Sequence, residues 1–295
     1  MYKIWIAGST HRTKQVAATI KADKKFKIEL IITPQPRQVG RKQTTVINPL
    51  HQFALDHQIK NILVDKKIDQ QVNQQLKRLA PPDLLIVVDF GFLIPDWLLT
   101  LPQKASLNIH PSLLPKWRGS SPGQNVILHG ETDSAVTLMQ IVKQMDAGPI
   151  LVQLPFEVKE SWHSNDYYQH AFDLICRQLT TYLVDFLEGK ITPQPQPLHS
   201  PTPLATKITK DQAFFSWDDL KKAMETGEKA KTIERASKAY YPWPKLWTKV
   251  PTSQGEKRLI IHQAAINNRK LVLDQVQLEG KDPTHWQTIK ANILK

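Results

Sequence analysis

The sequence predicts an α/β protein: a mostly parallel sheet covered by helices on both faces, followed by a smaller β domain. Three observations predict it. Apolar runs without polar alternation recur through the first half, separated by helical patterns, as expected of strands buried on both faces. The 295 residues, 41% of them apolar, exceed the usual size of one domain and suffice for two cores. Five prolines between 191 and 203 then interrupt the pattern, and only short strand-like runs and one helix follow.

Taken in order, Lys3 to Ala7 reads as a strand ending at Gly8-Ser9-Thr10, and residues 11–22 as a helix with Val16, Ala17 and Ile20 on one face. Lys27 to Thr33 is a second apolar run, stopped by Pro34 and Pro36, and a basic loop follows it. Residues 48–57 read as a helix with Pro49 early in it, where a missing N–H does little harm. Asn61 to Val64 is a short strand and residues 68–79 a helix, after which Leu84-Leu85-Ile86-Val87-Val88 is the clearest buried strand. Ser106 to Ile109 is a further apolar run, and residues 121–129 are a helix opened by Ser121 and Pro122. Val136 to Val142 and Ile150 to Val158 are strands. Ser164 to Leu187 is one long helical pattern striped by Phe172, Ile175, Leu179, Leu183 and Phe186. The order predicts a Rossmann-like domain over residues 1–190, a Pro-rich linker over 191–206, and an OB-like β-barrel domain over 207–295. That last domain holds one helix around 218–240 and strand-like runs at Leu259–Ile261 and Leu271–Leu273. There is no internal repeat.

Composition excludes several classes. A single cysteine, Cys176, rules out an internal disulfide framework and a cysteine-built zinc site; its apolar neighbours make it a core hydrophobe rather than a nucleophile. No run approaches the roughly 18 apolar residues of a membrane span, and the N-terminus opens directly on a strand, so a cytoplasmic location and no membrane partner are expected; a monomer is the expected state. The formal net charge of +12 favours polyanionic partners. Residues 200–295 carry +7 of it and residues 1–199 the remaining +5, so the C-terminal third is the more basic per residue.

The informative segment runs Ser106-Leu107-Asn108-Ile109-His110-Pro111-Ser112-Leu113-Leu114-Pro115-Lys116-Trp117-Arg118-Gly119. Asn108 and His110 lie two apart at the end of a strand, so both side chains leave the same face. Ligands of open parallel sheets bind outside the carboxyl ends of strands, where this pair would sit. Pro111 and Pro115 stiffen the loop that follows. A second segment, Lys143-Gln144-Met145-Asp146-Ala147-Gly148-Pro149, follows a strand. Singly, a histidine or an Asp before a Gly-Pro turn is most often structural.

Together, Asn-x-His-x-Ser-Leu-Leu-Pro-x-x-Arg-Gly and a later Asp-(small)-Gly-Pro turn resemble the formyltransferases that use 10-formyltetrahydrofolate. The resemblance implies that Asn108, His110 and Asp146 form the reacting core and that 10-formyltetrahydrofolate is the formyl donor, with no metal. Asp89-Phe90-Gly91-Phe92-Leu93-Ile94-Pro95 is similar to the segment with which that family encloses the pterin ring. Phe90, Gly91, Phe92, Leu93 and Ile94 are thereby implied to hold folate, as are Ser112, Leu113, Leu114 and Pro115. The chemistry suits the residue types. An amide N–H from Asn108 and a proton from His110 would stabilise the oxyanion expected when an amine attacks the formyl carbonyl. In that reading Asp146 would orient the imidazole, hold it protonated, and help receive the proton lost by the amine.

The acceptor is read from the rest of the chain. Residues 207–217 and Tyr241-Pro242-Trp243-Pro244 are similar to the C-terminal domain of the family's members that formylate methionyl-tRNA. Their resemblance implies initiator tRNA charged with methionine as partner. The basic stretch Pro34 to Thr45, with Arg37, Arg41 and Lys42, then corresponds to the loop those members carry near the acceptor stem; contacts of this kind give affinity and salt dependence. The chain departs from those members at Gly8-Ser9-Thr10-His11-Arg12-Thr13, where they show Gly-Thr-Pro-x-Phe-Ala, and at Pro111, where they show Gly or Ala. His-Pro-Ser-Leu-Leu-Pro is typical of purine-pathway formyltransferases and of formyltetrahydrofolate dehydrogenase. Two alternatives therefore stand beside the tRNA reading: an amino-sugar nucleotide as acceptor, and a non-catalytic RNA-binding protein on the same fold. His51, His57, His129, His163 and His170 lack metal-ligand spacing. Trp217, Trp243 and Trp247 read as packing residues.

Overall fold

A computed structural model describes residues 1–39 and 43–293. The chain divides into two compact units, one of residues 1–118, 135–155 and 169–202, the other of residues 119–134, 156–168 and 203–295.

The first unit is organised on a seven-stranded sheet. Its elements are β1 (Tyr2–Gly8), α1 (His11–Ala22), β2 (Phe26–Pro34), the hairpin β3 (Arg37–Val39) and β4 (Thr44–Val46), α2 (Pro49–Asp56), β5 (Asn61–Val64), α3 (Gln70–Lys77), β6 (Leu84–Val88), α4 (Asp96–Leu99) and β7 (Ala105–His110). After α5 (Pro122–His129), which belongs to the second unit, come β8 (Asp133–Gln140), β9 (Ile150–Glu157), α6 (Ser164–Cys176) and α7 (Leu179–Leu187). The strand order is β5-β2-β1-β6-β7-β8-β9, with β5, β2, β1, β6 and β7 parallel. Every residue of β6 is buried, as its unbroken apolar run requires of a strand covered on both faces. The helices start where their sequences supply acceptors. Thr10 accepts from Thr13 N at the head of α1, Asn48 from Leu50 N and His51 N at α2, and Asp69 from Val72 N at α3.

The sheet is Rossmann-like and mixed: β8 pairs antiparallel with β7. An apolar run records burial and not direction, so the sequence pattern could not show this. The single helix expected over 164–187 is two helices, interrupted at Arg177 and Gln178. Phe172, Ile175, Leu179 and Leu183 are all buried, so the apolar stripe crosses the break without a phase change. Cys176 is partly buried beside them, and burial pushes its thiol up to about 11.

The second unit adds α8 (Trp217–Glu225), α9 (Ala230–Ala239), β10 (Leu246–Thr252), β11 (Gly255–Ile261), β12 (Ala264–Asn267), β13 (Lys270–Leu273), β14 (Gln275–Leu278), β15 (Thr284–His285) and α10 (Trp286–Ile289). β10-β11-β14-β15 form an antiparallel sheet and β12-β13 a separate ribbon; among the described residues they do not close into a barrel. One core holds the unit together, with Leu220, Ile233, Leu246, Val250, Leu259 and Val276 buried in it. Each such side chain contributes roughly 1.5–3 kcal/mol relative to leaving it in water. The helix expected over 218–240 is broken at Gly227 and Lys229, both with positive φ. No described helix is long and apolar enough to cross a membrane.

Candidate active site

The strand order reverses at β1: β2 lies on one side and β6 on the other. Such a switch point opens a crevice beyond the carboxyl ends of the strands. Close backbone approach shapes its floor. A Cβ at Gly8, the last residue of β1, would come within 2.2 Å of Val88 O, so only glycine fits there. Beyond β6 the chain turns at Asp89, whose φ of +49° is rare for a side-chain-bearing residue. Two donors from the turn after β1 and one from the first turn of α1 hold it. Ser9 Oγ donates to Asp89 O at 3.0 Å, Thr10 Oγ1 to Asp89 Oδ2 at 2.7 Å, and Arg12 Nε to the same oxygen at 2.6 Å.

Asn108 and His110 leave the same face of β7, as their spacing predicts, and the loop after β8 returns to meet them. Asn108 Nδ2 stands 3.5 Å from Asp146 Oδ1, and His110 Nδ1 stands 3.6 Å from Asp146 Oδ2. The three residues named from sequence are thus brought together on one carboxylate. Both separations exceed the roughly 2.7–3.2 Å of a well-formed N–H···O bond. The other ring nitrogen, His110 Nε2, lies 3.0 Å from Trp117 O; a carbonyl only accepts, so Nε2 carries the hydrogen of that bond. His110 is 4% exposed, and that bond fixes its ring plane.

Two residues beside His110 share a backbone feature with Asp89. Trp117 has φ of +58° and Asp146 has φ of +50°. Each costs of order 1–3 kcal/mol and persists only where the surroundings enforce it, and such residues cluster at functional sites. The surroundings here are specific. Trp117 N donates to Thr202 Oγ1 at 2.7 Å, Ser112 Oγ donates to Lys116 O at 2.7 Å, and Thr137 Oγ1 donates to Ser112 O at 2.7 Å. Gln153 Nε2 donates to Leu114 O at 2.8 Å, and Ser200 Oγ to Pro115 O at 2.8 Å; the Leu114–Pro115 bond is cis. Gly148 closes the Asp146 turn, where a Cβ would meet Gln140 O at 1.9 Å.

The residues named for folate divide by exposure. Phe90 is buried in the core and packs edge-on against Phe92 at 5.4 Å, whereas Leu93 is 89% exposed and Ile94 half-buried. Ser112 and Leu114 are buried, while Leu113 and Pro115 are half-exposed. The loop after β8 faces the Phe92–Asp96 stretch, with Lys143 Nζ 3.9 Å from Asp96 Oδ2. Of the basic residues, Arg37 is exposed on β3, which pairs with β4 as a hairpin where a loop was expected. Arg41 and Lys42 lie outside the described residues. Sequence reasoning assigned no role to Arg12 or Arg118, and it read the 191–206 stretch as a spacer. In fact Gln196 and Thr202 bond directly to the Asp146 and Trp117 turns. Proline content signals stiffness and carries no mark of which polar side chain between the prolines has a partner.

A cavity of about 740 Å³ lies in the second unit, lined by Lys231, Glu234, Lys238 and Arg269. Within it Glu234 and Lys238 form an ion pair, and Lys238 Nζ donates to Glu160 O at 2.6 Å. The chemistry-bearing convergence is the one at Asp146.

Comparison with known proteins points the same way. The family model described as formyl transferase matches residues 3–179. Methionyl-tRNA formyltransferase from Legionella pneumophila is 32% identical over 240 residues, spanning 80% of this chain and 71% of that protein. Among solved structures, a methionyl-tRNA formyltransferase from Clostridium thermocellum matches with a TM-score of 0.61 at 16% identity, covering 94% of this chain and 99% of that one. An N-formyltransferase from Helicobacter canadensis, solved with folinic acid and dTDP-3-aminofucose, matches with a TM-score of 0.60 at 18% identity, over 91% and 89%.

Proposed function

Because this chain belongs to the formyl transferase family, we propose that it transfers the formyl group of 10-formyltetrahydrofolate to the amino group of methionine esterified to initiator tRNA. The observation that carries this reading is the convergence of Asn108 and His110 on the carboxylate of Asp146 inside the family-matched residues. The sequence similarity to methionyl-tRNA formyltransferase, which extends over most of the chain, supports the acceptor.

The reaction needs an amine nitrogen to attack the formyl carbon while negative charge grows on the formyl oxygen. Asn108 Nδ2 and His110 Nδ1 sit slightly beyond bonding distance of the Asp146 carboxylate, so an oxygen entering between them meets two donors when the ring carries a proton on both nitrogens. With Nε2 bonded to Trp117 O, Nδ1 is the working nitrogen of the ring. The Asp146 carboxylate receives the proton that the attacking nitrogen loses and passes it to the departing folate nitrogen. The new C–N bond forms and the old one breaks without a metal or a covalent enzyme intermediate. Folate lies against the Phe90–Ile94 loop and the Ser112–Pro115 wall. Arg37, with Arg41 and Lys42, contacts the tRNA backbone.

For function we take residues 1–190 as the catalytic domain, 191–206 as the connecting segment and 207–295 as an OB-like RNA-contacting domain in a monomeric, cytoplasmic enzyme. The antiparallel sheet β10-β11-β14-β15 and the basic excess of this region support that assignment.

The test incubates the protein with 10-formyltetrahydrofolate and either methionyl-tRNA or an amino-sugar nucleotide, and quantifies the formylated amine. Formylmethionyl-tRNA as the product is expected. A formylated amino sugar with untouched methionyl-tRNA would move the acceptor, and tight RNA binding without transfer to either would sink the enzymatic reading.

A further inference from the structure

The segment after α7 does more than connect. Gln194 pairs with Ile150 in both directions at 2.8 Å, which lays the chain along the start of β9. Two residues on, Gln196 stands between a buried cation and the Asp146 turn. Its Nε2 donates both to Asp146 O at 2.9 Å and to Gly148 O at 2.7 Å. Its Oε1 accepts from Arg118 Nη2 at 2.9 Å and from Arg118 Nε at 3.2 Å. Arg118 is 4% exposed and donates further to Pro197 O at 2.8 Å and Leu198 O at 3.3 Å. A guanidinium at the oxygen end of an amide polarises it and strengthens its N–H donors at the other end.

We infer that Gln196 is a positioning residue, which holds the backbone of the Asp146–Gly148 turn so that the Asp146 carboxylate faces Asn108 and His110. The inference rests on the proposed role of Asp146. It explains how a turn with a positive-φ aspartate keeps one geometry. Asn108 and His110 contact the carboxylate of Asp146 at 3.5 and 3.6 Å, while Gln196 grips its main chain from the other side. The amide is the one arrangement among close analogues that serves both neighbours. A carboxylate at 196 keeps the Arg118 contact but sets an oxygen against two carbonyl oxygens, and a hydrocarbon loses both contacts.

The experiment measures kcat and KM for wild type, Gln196→Leu, Gln196→Glu, Asp146→Asn and the Asp146→Asn/Gln196→Leu double variant, with melting temperatures alongside. Displacing a catalytic group by about 1 Å costs up to roughly 100-fold in rate. Both Gln196 variants should therefore lose about 10–100-fold in kcat, with each KM held within about threefold. The double variant should be no slower than Asp146→Asn, because Gln196 acts only through Asp146. Gln196→Glu, which preserves the Arg118 contact, carries the test should Gln196→Leu not fold. Losses that multiply in the double variant overturn the inference, as does a kcat within twofold of wild type in either Gln196 variant while Asp146→Asn is inactive. Near-normal turnover of Asp146→Asn alone breaks instead the role given to Asp146.

Discussion

At the Asn108–His110–Asp146 corner, polar side chains are withdrawn from water and tied to named partners. His110 and Arg118 are each 4% exposed, Ser112 is fully buried, and all three are hydrogen-bonded to backbone carbonyls. Charges on the C-terminal sheet stand in solvent, where the Lys249–Glu256 pair has side chains 55% and 61% exposed. A buried polar group without a partner costs several-fold more than an exposed one, so the corner has one workable arrangement while the surface has many. Tolerance to substitution should therefore differ sharply between the two regions, far more than their charge counts suggest.

The largest effect is expected from His110→Ala. Loss of an oxyanion donor costs about 10²- to 10³-fold in rate, so kcat should fall by that factor while equilibrium titration of folate stays near wild type. Turnover within tenfold of wild type would erase the contrast between corner and surface. Cys176 probes the same interior without chemistry. With its thiol pushed up to about 11 against an ordinary value of 9.0, the thiolate fraction at pH 8 is roughly 100-fold below that of an exposed cysteine. Alkylation by iodoacetamide at pH 8 should accelerate about 100-fold when the protein is unfolded in urea; equal rates would show that the helix stripe is open to solvent.

The contrast also governs what could be read from sequence. Where burial is patterned by local sequence, residues record it: the fully buried strand Leu84–Val88 was legible to the residue, as were the half-buried strand Asn61–Val64 and the one-sided helix over 11–22. The convergence of the three residues proposed as catalytic was partly legible. Asn108 and His110 share one face of β7 by strand periodicity, and only their long ordered motif, beyond any single residue, tied Asp146 to them. Features set by contacts distant in sequence were silent. The antiparallel turn into β8, the breaks at Gln178 and Gly227, and the Gln196 grip on the Asp146 turn all depend on which backbone groups meet, and side-chain polarity does not encode that. Arg12 stood in view in a motif departure and Asp89 at the head of a family-like segment, yet their 2.6 Å pairing appears only once β1 and β6 lie side by side.

On the surface, effects should be small and salt-dependent. Arg37 is exposed on the β3–β4 hairpin, so Arg37→Ala should weaken tRNA binding about equally for every tRNA sequence. It should also reduce the slope of log affinity against log salt by about one. A loss confined to initiator tRNA would mean base reading and would turn this residue into one of the corner's kind.

The smallest effect is expected from Glu256→Gln, and it is the sharpest test of the surface half of the contrast. On the β10–β11 hairpin, Lys249 lies directly opposite Arg258, while Glu256 sits on the same face and pairs with Lys249 at 3.1 Å. Like charges facing each other across strands are unfavourable, and Glu256 offsets them. Solvent nonetheless screens all three. Exposed pairs are worth about 0–1 kcal/mol, which in a chain of this size moves the melting temperature by roughly 2 °C at most. The shift should shrink further in 0.5 M salt, where charges more than about 4–5 Å apart are largely screened. A fall of many degrees that persists in salt would mean that the hairpin is held by this charge as firmly as the Asp146 turn is held by Gln196, and the two regions would no longer differ in kind.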